Sequence, residues 1–86
     1  MTTLKVGVAG AGVFGNYHAQ KAAASVRTEL VGVFDIDLER ASRIAGQFGA
    51  KGYDDYEKFL EDCDAIVIAV PAVWHEKLAR QAIEAH

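Results

Sequence analysis

Four short apolar runs, each followed by a segment with helical spacing, alternate along the 86-residue chain. The runs cover residues 4–9, 29–35, 50–53 and 65–70, and each stops at Gly, Asp or Pro. Runs of this kind are typical of strands that are buried on both faces. A helix after each strand implies right-handed crossovers between parallel strands. The pattern therefore predicts a β-α-β-α-β-α-β-α chain with one parallel sheet in the spatial order 3-2-1-4.

The first and fourth predicted helices are indicated by apolar stripes. The first, over residues 13–25, is rich in alanine, and its larger apolar side chains fall on roughly one side. These residues are Val13, Phe14, Tyr17 and Ala22. The fourth, over residues 73–85, carries Trp74, Leu78 and Ala82 at i, i+4 and i+8. Trp74 lies either beside an adenine or against the sheet, and the stripe below it favours the sheet.

The second and third predicted helices are indicated by their ends. Asp37 is placed to cap the second helix, and Gly49 is placed to end it. Asp54 and Glu57 resemble a capping box that opens the short helix YEKFLED. The cluster of charges from Asp54 to Asp64 is interpreted as a solvated face.

Composition excludes several classes of function. Hydrophobic residues make up 51% and charged residues 24% of the chain, which is typical of one globular domain. The net charge is -3 without a basic cluster, so nucleic acid and anionic membranes are not expected partners. No apolar run reaches the ~18 residues of a membrane span, and the start MTTLKVGVAG is unlike a secretion signal. A cytoplasmic protein is expected.

The lone cysteine and the three histidines predict no metal site and no nucleophile. Cys63 cannot form an intramolecular disulfide, and its acidic neighbours should raise the pKa of the thiol. His18 is interpreted as a packing residue, and the histidines lack the spacing of zinc ligands.

The string GxGxxG directly follows the first predicted strand and opens the first predicted helix. Gly10 allows a tight turn, Gly12 lets the backbone approach a pyrophosphate, and Gly15 lets the helix pack closely on the strand. The helix N-terminus then offers free N–H groups and partial positive charge to phosphates. Asp35 ends the second strand 20 residues after Gly15, as in the dinucleotide fingerprint. The alternative is an unliganded turn beside a solvated acid.

Asp35 also predicts which cofactor binds. A carboxylate at this place accepts hydrogen bonds from the adenosine ribose hydroxyls and repels a 2′-phosphate, so NAD is favoured over NADP. Ile36 supplies no positive charge, whereas Arg40 is near enough in sequence to leave an opening for NADP.

The fold class expected from these features is α/β, a Rossmann-type parallel sheet flanked by helices. Residues 1–86 would form a partial dinucleotide-binding domain, truncated after the fourth strand and its helix.

The whole chain resembles the N-terminal domain of the Gfo/Idh/MocA (glucose-fructose oxidoreductase, inositol dehydrogenase and MocA-like) family. The resemblance rests on VGVAGAGVFGNYHA (Val6 to Ala19), on LVGVFDIDLERA (Leu30 to Ala41) and on IAVPAVWH (Ile68 to His75). It implies an NAD(P)-dependent oxidoreductase that moves a hydride to or from a sugar, cyclitol or related polyol. The cofactor contacts that it implies, together with the fingerprint, are Gly10, Gly12, Val13, Phe14, Gly15, Asp35, Val70, Pro71, Ala72 and His75.

Several of these positions leave alternatives open. Phe14 borders the cofactor or packs under the helix, as apolar residues there usually do. His75 contacts the cofactor or only makes a local hydrogen bond at the helix start. Ala72 replaces the small polar residue, commonly Asn, that the family carries, which leaves backbone contact. The family's Glu-Lys-Pro motif would lie beyond His86, so the resemblance implies no catalytic residue in this chain and a substrate domain outside it.

Two other functions compete with the dehydrogenase. A nucleotide-sensing regulatory module uses the same glycine turn without redox chemistry, but it has no need of the PAVWH segment. A methyltransferase that uses S-adenosylmethionine also ends its second strand in an acid, but its loop usually lacks the third glycine.

Residues 65–70 would also form an open sheet edge without charge, which predicts a homo-oligomer with two copies paired antiparallel, or further polypeptide over that edge.

Overall fold

The computed structural model describes residues 3–70 and 72–85, with side chains described for 3–70 and 75–84. The predicted alternation of strands and helices is confirmed. The strands are β1 (Leu4–Ala9), β2 (Thr28–Phe34), β3 (Lys51–Tyr53) and β4 (Ala65–Ile68). The helices are α1 (Val13–Ala24), α2 (Leu38–Gly46), α3 (Tyr56–Glu61) and α4 (Ala72–Ala85). The predicted second and fourth strands extended too far, because β2 ends one residue before Asp35 and β4 ends at Ile68.

The four strands form one parallel sheet in the order β3-β2-β1-β4, as predicted. In register, Val6 of β1 lies opposite Leu30 of β2 on one side and Ala65 of β4 on the other. Gly32 of β2 lies opposite Lys51 of β3. Within the described residues β4 pairs with β1 alone, so its other edge is the outer edge of this sheet.

Helices cover both faces of the sheet, because successive strand residues point to opposite sides. α1 and α2 pack on the face that holds Val8 and Val33. α3 and α4 pack on the face that holds Ala9 and Phe34. The first core cluster consists of Val8, Ala11, Ala19, Leu30, Val33, Ala41 and Ala45. The second consists of Ala9, Phe34, Tyr53, Tyr56, Phe59, Leu60 and Cys63.

Aromatic rings of the second cluster lie directly on sheet glycines. A Cβ atom at Gly7 would lie 2.6 Å from the ring of Phe59, and one at Gly32 would lie 2.7 Å from the ring of Tyr53. Real Cβ atoms essentially never approach that closely. Phe59 is fully buried, and burying a ring of that size contributes about 1.5–3 kcal/mol. The missing side chains in the sheet therefore provide room for the aromatic layer above it.

Of the four apolar residues predicted to share one side of α1, Ala22 is half-buried against the first core cluster, whereas the three larger ones do not pack against the sheet. Val13, Phe14 and Tyr17 are exposed, with Phe14 at 75%, and the buried residues of the helix are Gly15 and Ala19. The expectation that Phe14 packs under the helix is wrong. Small residues face the sheet here because the helix lies very close to the glycine turn, which leaves no room for a large side chain.

The ends of α2 and α3 confirm one predicted cap and correct two other predictions. Asp37 caps α2 by accepting a hydrogen bond from the Arg40 amide at 3.2 Å. The helix ends at Gly46, and Gly49, with φ +71°, ends the turn that follows. α3 is capped by Asp55 instead of Asp54. Asp55 has the extended backbone of a cap residue, and its side chain accepts hydrogen bonds from the amides of Glu57 and Lys58.

The fourth helix carries its stripe as predicted where the structure describes it. Leu78 and Ala82 are half-buried against the second core cluster. The side chain of Trp74 lies outside the described residues. The hydroxyl of Tyr56 donates to the backbone carbonyl of Leu78 at 2.8 Å, which fastens α3 to α4.

Candidate functional site

The carboxyl ends of β1, β2 and β4 meet at the turn formed by residues 10–12. The Gly10 amide donates to the Phe34 carbonyl at the end of β2, at 2.7 Å. The Ala69 amide donates to the Ala9 carbonyl at the end of β1, at 2.8 Å. The strand order reverses direction at β1, and open parallel sheets bind ligands in the crevice outside such a point.

Gly10 and Gly15 are the residues that make this turn sterically possible. Gly10 has φ +114°, and a Cβ atom there would meet the Ala69 carbonyl oxygen and lie 3.0 Å from Val70 Cγ1. A Cβ atom on Gly15 would meet the carbonyl oxygen of Gly10. The first turn of α1 is therefore pressed against the glycine turn, and its N-terminus is held at the strand ends.

The start of α1 is open to an anion. Gly12 is its N-cap residue and, unlike Asp37 on α2 and Asp55 on α3, it provides no side-chain cap. The first turn of α1, all of it described, contains no acidic residue. A Cβ atom at Gly12 would meet no described atom within 4 Å, so it would project into open space. The first amides of a helix lack partners within the helix, and a phosphate satisfies them.

The carboxylate of Asp35 is fixed by two backbone amides. Oδ2 accepts from the Ala11 amide at 3.0 Å, and Oδ1 accepts from the Asp37 amide at 2.9 Å. Asp35 is half-buried, and a carboxylate has about four acceptor positions, so each oxygen keeps one for another donor. The sequence analysis missed the bond to Ala11, which joins residues far apart in the chain. The arrangement presents two oriented acceptors beside the glycine turn.

A cleft of about 630 Å³ opens beside Asp35. Its lining comes from the glycine turn, from the end of β2, the start of α2 and the segment between them, from the residues after β4, and from α3 and α4. The lining residues are Gly10, Phe34, Asp35, Ile36, Asp37, Arg40, Tyr56, Val70, Lys77, Leu78 and Gln81. Sequence reasoning missed Tyr56, Lys77 and Gln81 and read Leu78 only as a core residue. Ile36 is 90% exposed at the rim, so the cleft offers apolar surface next to the fixed carboxylate.

The remaining predicted contacts are only partly placed. Val70 lines the cleft, whereas Pro71 and the side chain of Ala72 lie outside the described residues. His75 has an exposed side chain on α4 and lines a separate shallow concavity of about 560 Å³ with Ala79 and neighbouring residues. Of the residues that the structure describes, His75 is not among those lining the cleft, and its contact with a cofactor stays a prediction.

Cys63 is a buried packing residue. It is 4% exposed, and burial, followed by the charges of Asp62 and Asp64, raises the pKa of its thiol to about 12. A thiol with that pKa is a poor nucleophile.

In the described part of the chain no three His, Cys, Asp or Glu side chains are grouped to hold a metal ion. No helix there is long and apolar enough to cross a membrane.

Comparison with known proteins identifies the family to which the chain belongs. Residues 4–86 match the model of the GFO_IDH_MocA family, described as an oxidoreductase family with an NAD-binding Rossmann fold. The chain belongs to the Gfo/Idh/MocA family. Residues 4–86 correspond to the NAD-binding part of the family's proteins, which confirms the resemblance seen in the sequence.

Individual Gfo/Idh/MocA relatives are considerably longer than this chain. UDP-N-acetylglucosamine 3-dehydrogenase from Acidithiobacillus ferrooxidans is 35% identical over 85 residues, which cover 99% of the chain and 26% of that protein. Inositol 2-dehydrogenase 4 from Saccharopolyspora erythraea is 44% identical over 85 residues, which cover 94% of the chain and 25% of that protein. The chain thus spans about a quarter of the length of these curated relatives.

Solved Gfo/Idh/MocA structures superpose closely on the chain. GenD2 from gentamicin A biosynthesis, solved with NAD, matches with a TM-score of 0.93 and 33% identity over 99% of the chain and 25% of its own. A 3-ketoreductase from Actinomadura kijaniata, solved with NADP, matches with a TM-score of 0.89 and 28% identity over 98% of the chain and 28% of its own. The family therefore includes structures with either cofactor.

Proposed function

We propose that the chain is the NAD(P)-binding part of an oxidoreductase that transfers a hydride between a nicotinamide cofactor and a sugar, cyclitol or related polyol. The observation that carries the proposal is the fixed carboxylate of Asp35, which lines the cleft together with Gly10, beside the glycine turn that leads into the uncapped start of α1. The names of the relatives, which include dehydrogenases of UDP-N-acetylglucosamine and inositol, support the substrate class.

Each part of the site has a role in holding such a cofactor. The amides at the start of α1, next to Gly12, bind the pyrophosphate, and Asp35 accepts hydrogen bonds from the adenosine ribose. Val13 and Phe14, exposed in the first turn, border the phosphates and the path toward the nicotinamide. The cleft holds the adenine between Ile36 and the side chains that α4 contributes. When bound, the nicotinamide supplies the hydride donor or acceptor.

NAD is the preferred cofactor under this proposal. The Asp35 carboxylate repels a 2′-phosphate, and Ile36 offers it no charge. Arg40 and Lys77 line the same cleft and reduce this repulsion, so NADP is disfavoured but not excluded. The expected order of affinity is therefore NAD above NADP.

We expect this chain to bind the cofactor but to have no dehydrogenase activity. Hydride transfer needs a proton donor or acceptor beside the reacting carbon and a pocket that holds the substrate. The Glu-Lys-Pro motif, whose Lys the resemblance places at the nicotinamide, does not occur in the 86 residues. We therefore expect the chain to bind NAD weakly and to reduce none of it with inositol or glucose. The full activity would belong to a longer polypeptide in the cytoplasm.

Calorimetric titration of the chain with NAD, NADP, ADP and S-adenosylmethionine tests the proposal. Tighter binding of NAD than of NADP supports it, and a preference for NADP overturns the role of Asp35. Preference for ADP over NAD favours a nucleotide sensor, and absence of all binding rejects the site. Reduction of NAD by inositol or glucose would contradict the expected inactivity.

The outer edge of β4 gives an expectation about assembly. Residues 65–70 are only half-buried, and the structure pairs them on one side. Uncovered strand edges pair readily with other chains, so we propose that this edge either pairs antiparallel with a second copy of the chain or is covered by further polypeptide, and that the chain by itself self-associates through β4. Analytical ultracentrifugation at high micromolar concentration tests it, and a monomer whose residues 65–70 exchange their amides slowly would contradict it.

A further inference from the structure

We propose that Asp35 is also a positioning residue, which holds the glycine turn in its binding shape before any nucleotide arrives. Only the expected effect on cofactor affinity rests on the proposed function. Its basis is that one carboxylate accepts from Ala11, inside the turn, and from Asp37, at the start of the next helix. The side chain thereby joins the two loops that border the cleft.

The Ala11 amide depends on this carboxylate because its surroundings are dry. Ala11 is 4% exposed, and its side chain belongs to the first core cluster. A backbone N–H that loses its acceptor in such a place keeps its desolvation cost. Gly10 on one side is held by the Phe34 carbonyl, and Gly12 on the other side begins α1. Asp35 fastens the residue between them.

The positioning role changes what a cofactor-swapping substitution should do. If Asp35 only repels a 2′-phosphate, Asp35→Ser raises the affinity for NADP. If Asp35 also holds the turn, the shorter serine, with one oxygen, cannot accept from both amides. The ratio of affinities then moves toward NADP while the absolute affinity for both cofactors falls. Adding Ile36→Arg supplies a phosphate partner and moves the ratio further without restoring the turn.

Amide hydrogen exchange measured by NMR without nucleotide tests the proposal directly. In Asp35→Ser we expect the Ala11 amide to exchange about tenfold faster than in the native chain, a factor typical of one lost hydrogen bond, because the serine oxygen can accept only from the Asp37 amide two residues on. The Ala69 amide, bonded to Ala9 nearby, should be unchanged and reports any global loss of stability. In Asp35→Asn one oxygen remains, so one of the two amides should stay protected.

Asp64→Asn is the matched control, because its carboxylate also accepts a backbone amide, that of Lys5 at 3.0 Å, at the opposite end of β1. It should leave Ala11 and both cofactor affinities unchanged. Native exchange at Ala11 in a folded Asp35→Ser chain, or a rise in its absolute NADP affinity, would overturn the proposal. If the serine variant does not fold, the asparagine variant decides: faster exchange at one of the two amides, Ala11 or Asp37, supports the proposal, and native exchange at both overturns it. Faster exchange at Ala11 in a chain whose native form binds no nucleotide would reject the proposed function and leave the positioning role standing.

Discussion

Replacing Gly10 by alanine should destabilise the fold, whereas the same change at Gly12 should not. The two glycines belong to one turn. Comparing the two substitutions therefore separates what the turn needs in order to fold from what it needs in order to bind a cofactor. Gly10 has φ +114°, and its Cβ atom would meet the backbone of Ala69. Gly12 has φ -89°, and its Cβ atom would project into space that contains no described atom within 4 Å.

The expected cost at Gly10 has two parts. An alanine held at such a positive φ is strained by about 1–3 kcal/mol. Moving the Ala69 carbonyl away disturbs a segment whose amide is bonded to Ala9, which costs about 1 kcal/mol more. The lower entropy of the unfolded alanine chain offsets about 0.4–1 kcal/mol. A net loss of about 1–3.5 kcal/mol follows, which lowers the Tm of a domain of this size by about 5–30 °C.

Equilibrium unfolding in urea, followed by circular dichroism, measures both variants. Gly12→Ala should lie within about 0.5 kcal/mol of the native free energy of unfolding, because a small loss at the helix N-cap is offset by the unfolded-state gain. Its NAD affinity should nevertheless fall, since the new methyl group occupies the approach to the pyrophosphate. Equal destabilisation by the two substitutions, or a Gly12→Ala chain with native affinity, would refute this reasoning.

The structure supports three further predictions. Gly32→Ala should lower the free energy of unfolding by about 1–3 kcal/mol, because the methyl group overlaps the Tyr53 ring, while Gly46→Ala, with open space around it, should be neutral or stabilising in the same urea experiment. Phe14→Ser should change stability by less than about 0.5 kcal/mol, since the ring is 75% exposed, and a larger loss in thermal unfolding would show that it packs after all. Cys63, whose pKa is raised by burial from 9.0 to about 12, should resist a thiol reagent at pH 8 until urea unfolds the chain. Because the unfolded thiol ionises first, its contribution to stability is present below pH 9 and is lost between pH 9 and 12, which a pH series of unfolding curves measures.

Local signals in the sequence were sufficient for the order of elements and for the glycine turn. Alternating apolar runs and helical spacing predicted the parallel sheet, and the strand order followed from the pattern of Rossmann-type folds. The roles of Gly10 and Gly15 in the turn were predictable because each satisfies a requirement set by neighbouring backbone. Asp37 was predictable as a cap because it directly precedes its helix.

Features that depend on packing between distant segments were not predictable. The stripe of Val13, Phe14 and Tyr17 suggested the buried side of α1, but the close approach of the helix selects the small residues on its other side. Asp54 and Asp55 are adjacent acids, and only the backbone geometry shows which one caps α3. Much of the cleft comes from α3 and α4, which the sequence gives no reason to place beside Asp35.

The pairing of β1 with β4 has a consequence for how the chain folds during its synthesis. β1 precedes the other three described strands in the chain, and it pairs on both sides, but Ala65, the partner of Val6, is translated only after β2 and β3. At about 5–20 residues per second the ribosome needs roughly 3–12 s to add the residues in between. During that interval β1 can bind β2, while its other edge carries unpaired backbone groups. Of the two described strands that pair on both sides, β1 is thus made before β2 but acquires its second neighbour after it, and those seconds are the time when a chaperone or another nascent chain can reach the open edge of β1.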